Sequence, residues 1–185
     1  MAEAVPLVPG RSCAGCTMCC KLLGIEALEK PRLTLCTHCT VGKGCGIYEE
    51  RPVECAEFYC AWLVNPGLGD EWRPRDAKMM IAFDAVSNRV VVHVDPQRSD
   101  AWKKQPHYRQ IKNMAVQALR NQGHLLVWQG REAIVVLPDR DVSLGSNAED
   151  IVVVVTEKRT PMGVSYDVAG FAPDDPRLKQ FGYSG

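Results

Sequence analysis

The chain has 185 residues, 46% of them hydrophobic and 24% charged, with 22 basic side chains against 22 acidic ones. That composition supports a buried core and argues against wholesale disorder, while the balanced charge withholds the positive field of a nucleic-acid or anionic-membrane binder. No stretch is apolar enough to span a bilayer, and the opening Met1 to Gly10 lacks the basic and apolar regions of a secretory signal, so a cytoplasmic protein with neither nucleic-acid nor membrane partners is expected.

Residues 1–12, with Pro6, Pro9 and Gly10 and no apolar period, read as a lead-in. Met18, Leu22, Ile25 and Leu28 recur at helical spacing and predict a short helix over 17–29, stopped by Pro31. Gly42, Gly44 and Gly46 around Lys43 and Cys45 predict a tight irregular loop. Pro52 opens a predicted helix over Val53 to Leu63, which Asn65-Pro66-Gly67 ends. Met79 to Val86 and Arg89 to Val94 read as a hairpin around Ser87-Asn88. Tyr108, Ile111, Ala115, Ala118 and Leu119 mark one face of a helix over Pro106 to Gln122, with Gly123 suited to its C-cap. Strands follow at 124–129 and 132–137 around Gly130, then at 151–157 and 163–170. Beyond Ala172 a surface tail is expected. The fold class read from this order is α+β: a small cysteine-rich metal-binding module with short helices and loops over 1–71, then over 72–185 an antiparallel sheet packed with one main helix.

All nine cysteines, Cys13, Cys16, Cys19, Cys20, Cys36, Cys39, Cys45, Cys55 and Cys60, fall between positions 13 and 60. An odd count without an export signal points to a reducing compartment, where thiolates serve metals rather than disulfides. Cys13-x2-Cys16 and Cys36-x2-Cys39 are the half-sites that bring two thiolates onto one ion across a turn, as in zinc and iron–sulfur sites. The run Cys13-x2-Cys16-x2-Cys19 starts like a bacterial ferredoxin, but no Cys-Pro follows. Nine thiols suffice for two four-coordinate sites with one left over, or for one site with bystanders, Cys20, Cys39 and Cys60 being the candidates for ordinary buried thiols. Adjacent side chains diverge by about 100° on a helix, so Cys19 and Cys20 are expected to have different duties, Cys20 facing a second site or the core.

Among other groups, His38 reads as a solvent-facing loop residue rather than a ligand, and His93, His107 and His124 as surface residues of strands and helix. Lys21, Lys43 and Arg51 are candidates to offset thiolate charge. Gly42-Lys43-Gly44 lacks the spacing and the following Ser or Thr of a phosphate loop. Tyr48, Phe58, Tyr59 and Trp62 read as a small core beside the metal. With six basic and seven acidic side chains in residues 1–60, base stacking is disfavoured.

Cys13-x2-Cys16-x2-Cys19-Cys20, Gly44-Cys45-Gly46-Ile47-Tyr48, Arg51-Pro52-x2-Cys55 and Phe58 together resemble the YkgJ-type cysteine-cluster family, described as zinc- or iron-chelating domain proteins. The resemblance covers about residues 13–63. It implies metal ligation by Cys13, Cys16, Cys19, Cys20, Cys45 and Cys55, with Cys36 or Cys39 as the middle cysteine and Cys60 as the last. This sequence carries one extra cysteine in the Cys36-Thr37-His38-Cys39 step. The expected function is thus binding of zinc or iron, as ions or an iron–sulfur cluster in one or two centres, with the metal organising the fold and being carried or sensed. The alternatives are an iron–sulfur redox protein passing electrons to a protein partner, and an adaptor with a structural metal. No general acid/base pair is recognisable, so no catalytic residue is assigned.

Overall fold

The computed structural model of the chain describes residues 5–85, 87–146, 148, 151–161 and 163–182. The cysteine-bearing segment contains α1 (Met18–Leu22), β1 (Cys39–Thr40), β2 (Gly44–Cys45), α2 (Val53–Glu57) and α3 (Ala61–Val64). After α4 (Pro74–Ala77) come β3 (Met79–Asp84), β4 (Arg89–Val94), α5 (His107–Arg120), β5 (His124–Gln129), β6 (Glu132–Val136) and β7 (Asp141–Gly145). A separate pair, β8 (Val152–Thr160) and β9 (Gly163–Phe171), completes the strands.

The main sheet has five strands in the order β3-β4-β5-β6-β7. It is mixed, which corrects the antiparallel expectation: β3–β4, β5–β6 and β6–β7 are antiparallel, but β4 and β5 run parallel. The physical reason is the connection. Residues 95–123 carry α5 across the sheet and return the chain to the starting end, and such a crossover delivers a parallel neighbour.

Successive residues of each strand serve opposite faces. Val92, Val94, Leu125, Val127, Ile134 and Val136 pack with Ile111 and Ala115 of α5. Val91, Leu126, Trp128, Ala133 and Val135 pack on the other side with Val153 of β8, and with Tyr166 and Val168 of β9. Each fully buried Val, Leu or Ile among them contributes about 1.5–3 kcal/mol. The two-sided burial explains the unbroken apolar run Leu125 to Trp128.

Two expected helices are shorter than their apolar period suggests. The helix over 17–29 stops at Leu22, because Cys20 O accepts from Cys36 N–H at 2.9 Å and Leu22 O from Leu33 N–H at 3.3 Å. Continuation would need those carbonyls for residues 24 and 26. The helix over 53–63 is interrupted at Phe58–Cys60, extended at Phe58 (ψ 121°) and Cys60 (ψ 151°), and resumes as α3. The hairpin turn holds Ser87 and Asn88, while Val86 lies outside the described residues. Asn121, not Gly123, closes α5. Gly123 is required for another reason: a Cβ there would stand 2.0 Å from Asn88 O.

The lead-in is tied down, since Val8 N–H donates to Leu63 O at 2.8 Å and Arg11 donates to the carbonyls of Trp62, Asn65 and Leu68. The tail also docks: Leu178 is buried in a 3-10 helix over Pro176–Phe181, and Phe181 lies 5.7 Å from Phe171. A single buried cluster joins Cys60, Trp62, Leu63 and Leu68 to Met79, Met80 and Ile81, so the 71/72 boundary falls inside a continuous core. Among the described residues, no helix is long and apolar enough to cross a membrane.

Candidate metal centre

Each cysteine is placed by a short backbone device. Cys16 N–H donates to Cys13 O at 3.0 Å, closing a turn with Gly15 at φ 70°, a conformation glycine adopts without steric cost. This turn backs onto the glycine loop: a Cβ on Gly15 would meet Gly42 O at 3.4 Å. Cys39 N–H donates to Cys36 O at 3.0 Å in a second turn, and Cys39 then pairs with Cys45 across β1–β2. Directly opposed strand residues share a face, so these two thiols lie side by side.

Cys55 rides on α2, which Glu54 anchors by accepting from the N–H groups of Glu26 and Ala27 at 3.0 and 3.1 Å. The extended backbone at Cys60 turns its thiol into the core, where N–H groups of Leu63 and Trp62 face the sulfur. Had the helix over 53–63 run unbroken, Cys60 would lie about 140° around it from Cys55.

The thiols fall into two neighbourhoods. Cys13, Cys16 and Cys19 interact electrostatically with one another, and Cys60 with Cys13 and Cys16. Cys39 and Cys55 each interact with Cys36 and Cys45. Cys20 belongs to both, bearing on Cys13 and Cys19 on one side and on Cys39 and Cys55 on the other. Although adjacent, the Cys19 and Cys20 thiols hydrogen-bond to each other, and Cys20 also bonds to Cys39. The Cys19 bond pulls the Cys20 thiol below its usual value, and the same bond pushes Cys19 up. Burial pushes Cys13, Cys39, Cys55 and Cys60 up.

Among the described residues, no three His, Cys, Asp or Glu side chains form a closed group that holds an ion as placed. The donor set nonetheless fits a soft divalent metal in kind: two clusters of thiols, with backbone N–H groups on one sulfur and cations nearby. Raised thiol pKa values mean that protons must leave as an ion enters.

The cations differ from those expected. Lys21 forms an ion pair with Asp95 at 2.7 Å, and Lys43 is exposed on its loop. Arg51 does sit beside Cys13 and stacks over Tyr48 at 3.8 Å. Among the described residues the buried cation is Lys30, whose ammonium donates to Leu23 O and Pro31 O and bears on Cys36, Cys20, Cys19 and Cys55. No one-dimensional pattern marks it, since it stands between Glu29 and Pro31 in a polar stretch. His38 is exposed and contributes its carbonyl, which accepts from Gly46 N–H at 2.7 Å.

A cavity of about 600 Å³ separates this segment from the sheet and is lined by every cysteine except Cys39. Phe58, Tyr59 and Trp62 pack beside it into the shared core. His93, expected on the surface, lies deep on its sheet wall, and His124 is buried at the start of β5. Both misplacements have one cause: the sheet is covered on both faces. In comparisons with known proteins, no family model, no curated protein and no solved structure matches the chain.

Proposed function

We propose that the chain binds zinc or iron in two centres, Cys13, Cys16, Cys19 and Cys60 supplying one and Cys36, Cys39, Cys45 and Cys55 the other, with Cys20 between them. The observation that carries this reading is the division of the thiols into two four-member neighbourhoods joined by Cys20. Four thiolates are a complete ligand set for a closed structural site. The resemblance to the YkgJ-type chelating family over residues 13–63 points the same way. In this reading the protein works in a reducing compartment such as the cytoplasm, and the metal organises the segment and is carried or sensed.

An iron–sulfur centre that exchanges electrons with a protein partner is the second reading. It is favoured by the N–H groups facing Cys60, since hydrogen bonds to sulfur tune such clusters. Metal analysis and an absorption spectrum of anaerobically purified protein test both. Zinc is colourless, whereas an iron–sulfur centre absorbs in the visible and bleaches on reduction. Two metal ions per chain are expected for wild type, one for Cys60→Ser, and a loss in Cys20→Ser that differs from that in Cys19→Ser. Well-folded, metal-free protein with nine titratable thiols would sink the proposal.

A further inference from the structure

Lys30 is carried into the cysteine segment by a closed loop. Ile25 N–H donates to Lys30 O at 2.9 Å and Lys30 N–H to Ile25 O at 3.0 Å, around the 3-10 turn Glu26–Leu28 and Glu29 in the left-handed region at φ 47°. From this loop the side chain runs to the end of α1, where its ammonium donates to Leu23 O and, at 3.1 Å, to Pro31 O. A second tie, Cys36 N–H to Cys20 O at 2.9 Å, sets Cys36 against the same helix. One thiol from each side of the segment is thereby brought to the ammonium.

Lys30 is 8% exposed, and the ionisable groups that bear on it most strongly are Cys36, Cys20, Cys19 and Cys55, with no carboxylate among them. Among the described residues it forms no ion pair. An ammonium has three N–H groups, of which the two carbonyls engage two. A buried cation facing neutral thiols is costly, because nothing returns the hydration it has lost. Facing thiolates it is well placed, since four of them around a divalent ion leave a net charge of about minus two. Arg51, the other cation beside the thiols, is half-buried and stacked over Tyr48 on the Cys13 side, where solvent screens its charge more strongly.

We propose that Lys30 is a positioning residue for the bound metal, a buried positive charge that offsets the thiolate charge where the two groups of cysteines meet and so tightens the hold on a divalent ion. The inference rests on the two-centre reading and deepens it by adding a determinant of affinity that is not itself a ligand. Cys36 and Cys55 belong to one group and Cys19 to the other, with Cys20 between them, so one ammonium acts on both centres. Its effect comes from charge at short range in a poorly solvated place. The hydrogen bonds to Leu23 O and Pro31 O hold the ammonium there, and a neutral donor could make them equally well.

The test uses the full-length chain under anaerobic conditions, with Zn²⁺ titrated in competition with a chromophoric chelator. Lys30→Gln keeps a donor for the carbonyls without the charge, Lys30→Met loses both, and Lys30→Arg keeps both. Lys30→Gln and Lys30→Met are expected to weaken at least one Zn²⁺ affinity alike, by about tenfold or more, while Lys30→Arg stays near wild type. Lys179→Gln, which removes an exposed charge of the tail, is expected to bind as wild type does. A merely structural role gives another order, with Lys30→Gln near wild type and Lys30→Met weak. Should the uncharged variants not fold, the wild type decides: its Lys30 Nζ resonance is expected to shift as Zn²⁺ binds, and an unmoved resonance overturns the role. Equal Zn²⁺ affinity in wild type and folded Lys30→Gln overturns the role of Lys30 and leaves the two centres standing. A wild type that takes up no Zn²⁺ sinks the two-centre reading and this inference with it.

Discussion

His124 gives the sharpest handle on acid stability. It is 6% exposed, its Nε2 has no hydrogen-bond partner among the described residues, and burial followed by Arg89 pushes its pKa from 6.5 down to about 4, with Asp84 opposing. The folded state therefore favours the neutral ring. As pH falls below 6.5 the unfolded chain takes up this proton first, so stability is lost progressively until the folded ring also protonates near 4. Linkage over that interval amounts to about 3 kcal/mol, of which about 2 kcal/mol falls between pH 7 and pH 5. His124→Leu removes the titration while filling the site with apolar volume. Denaturant unfolding of both proteins at pH 7 and pH 5 gives a double difference in which proton effects of the shared thiols cancel. The expected outcome is that wild type loses about 2 kcal/mol more than the variant. A double difference near zero would refute the assignment.

Gly123→Ala is expected to destabilise by about 1–3 kcal/mol through overpacking, because its Cβ would meet the Asn88 backbone oxygen at 2.0 Å. Gly69→Ala should cost much less, since the obstacle there is the flexible end of Glu71; equal costs in thermal melts would contradict this. Asp95 accepts from Lys21 Nζ at 2.7 Å and from Gln97 N–H at 2.9 Å. Asp95→Ala should therefore cost about 1–3 kcal/mol, and Asp95→Asn, which retains an acceptor for the backbone, distinctly less. Identical unfolding midpoints for the two variants would show that the acceptor does not matter.

Periodicity made α5 and most strands legible, because Ile111 and Ala115 on one side and the Val90–Val94 run on the other carry the helix and strand periods without interruption. Strand direction was not legible, since nothing within Arg89–Val94 or His124–Gln129 encodes whether the two run together or opposed. β7 could have been read from the alternation of Val142 and Leu144 with polar neighbours, a signal shortened by Pro138 before it and Gly145 at its end. The helix breaks were illegible for a different reason: they depend on distant N–H groups, those of Cys36 and Leu33, capturing carbonyls of α1. At the candidate centre, spacing drew attention to the nine cysteines and left open two sets of four with one over or one site with bystanders. Which thiols are neighbours depends on the extended turn that aims Cys60 inward and on the pairing of Cys39 with Cys45. Lys30 and His93 acquire their surroundings only from tertiary packing.

The parallel step between β4 and β5 also sets the order of events in folding. β3–β4 and β5–β6 are each closed by a short turn and can zip locally on the microsecond scale of hairpins. The β4–β5 seam instead joins Arg89 to His124 and Val94 to Gln129, a constant separation of 124 − 89 = 35 residues. Closing that loop demands chain entropy in advance of any ladder bond. Two early hairpins and a helix should thus wait on one non-local closure, with Gly123 and Asn88 touching at the end where the seam begins. Truncations in Val92 or Val127, which face each other across the seam, are expected to slow refolding, whereas changes in the outer strand β7 should mainly hasten unfolding.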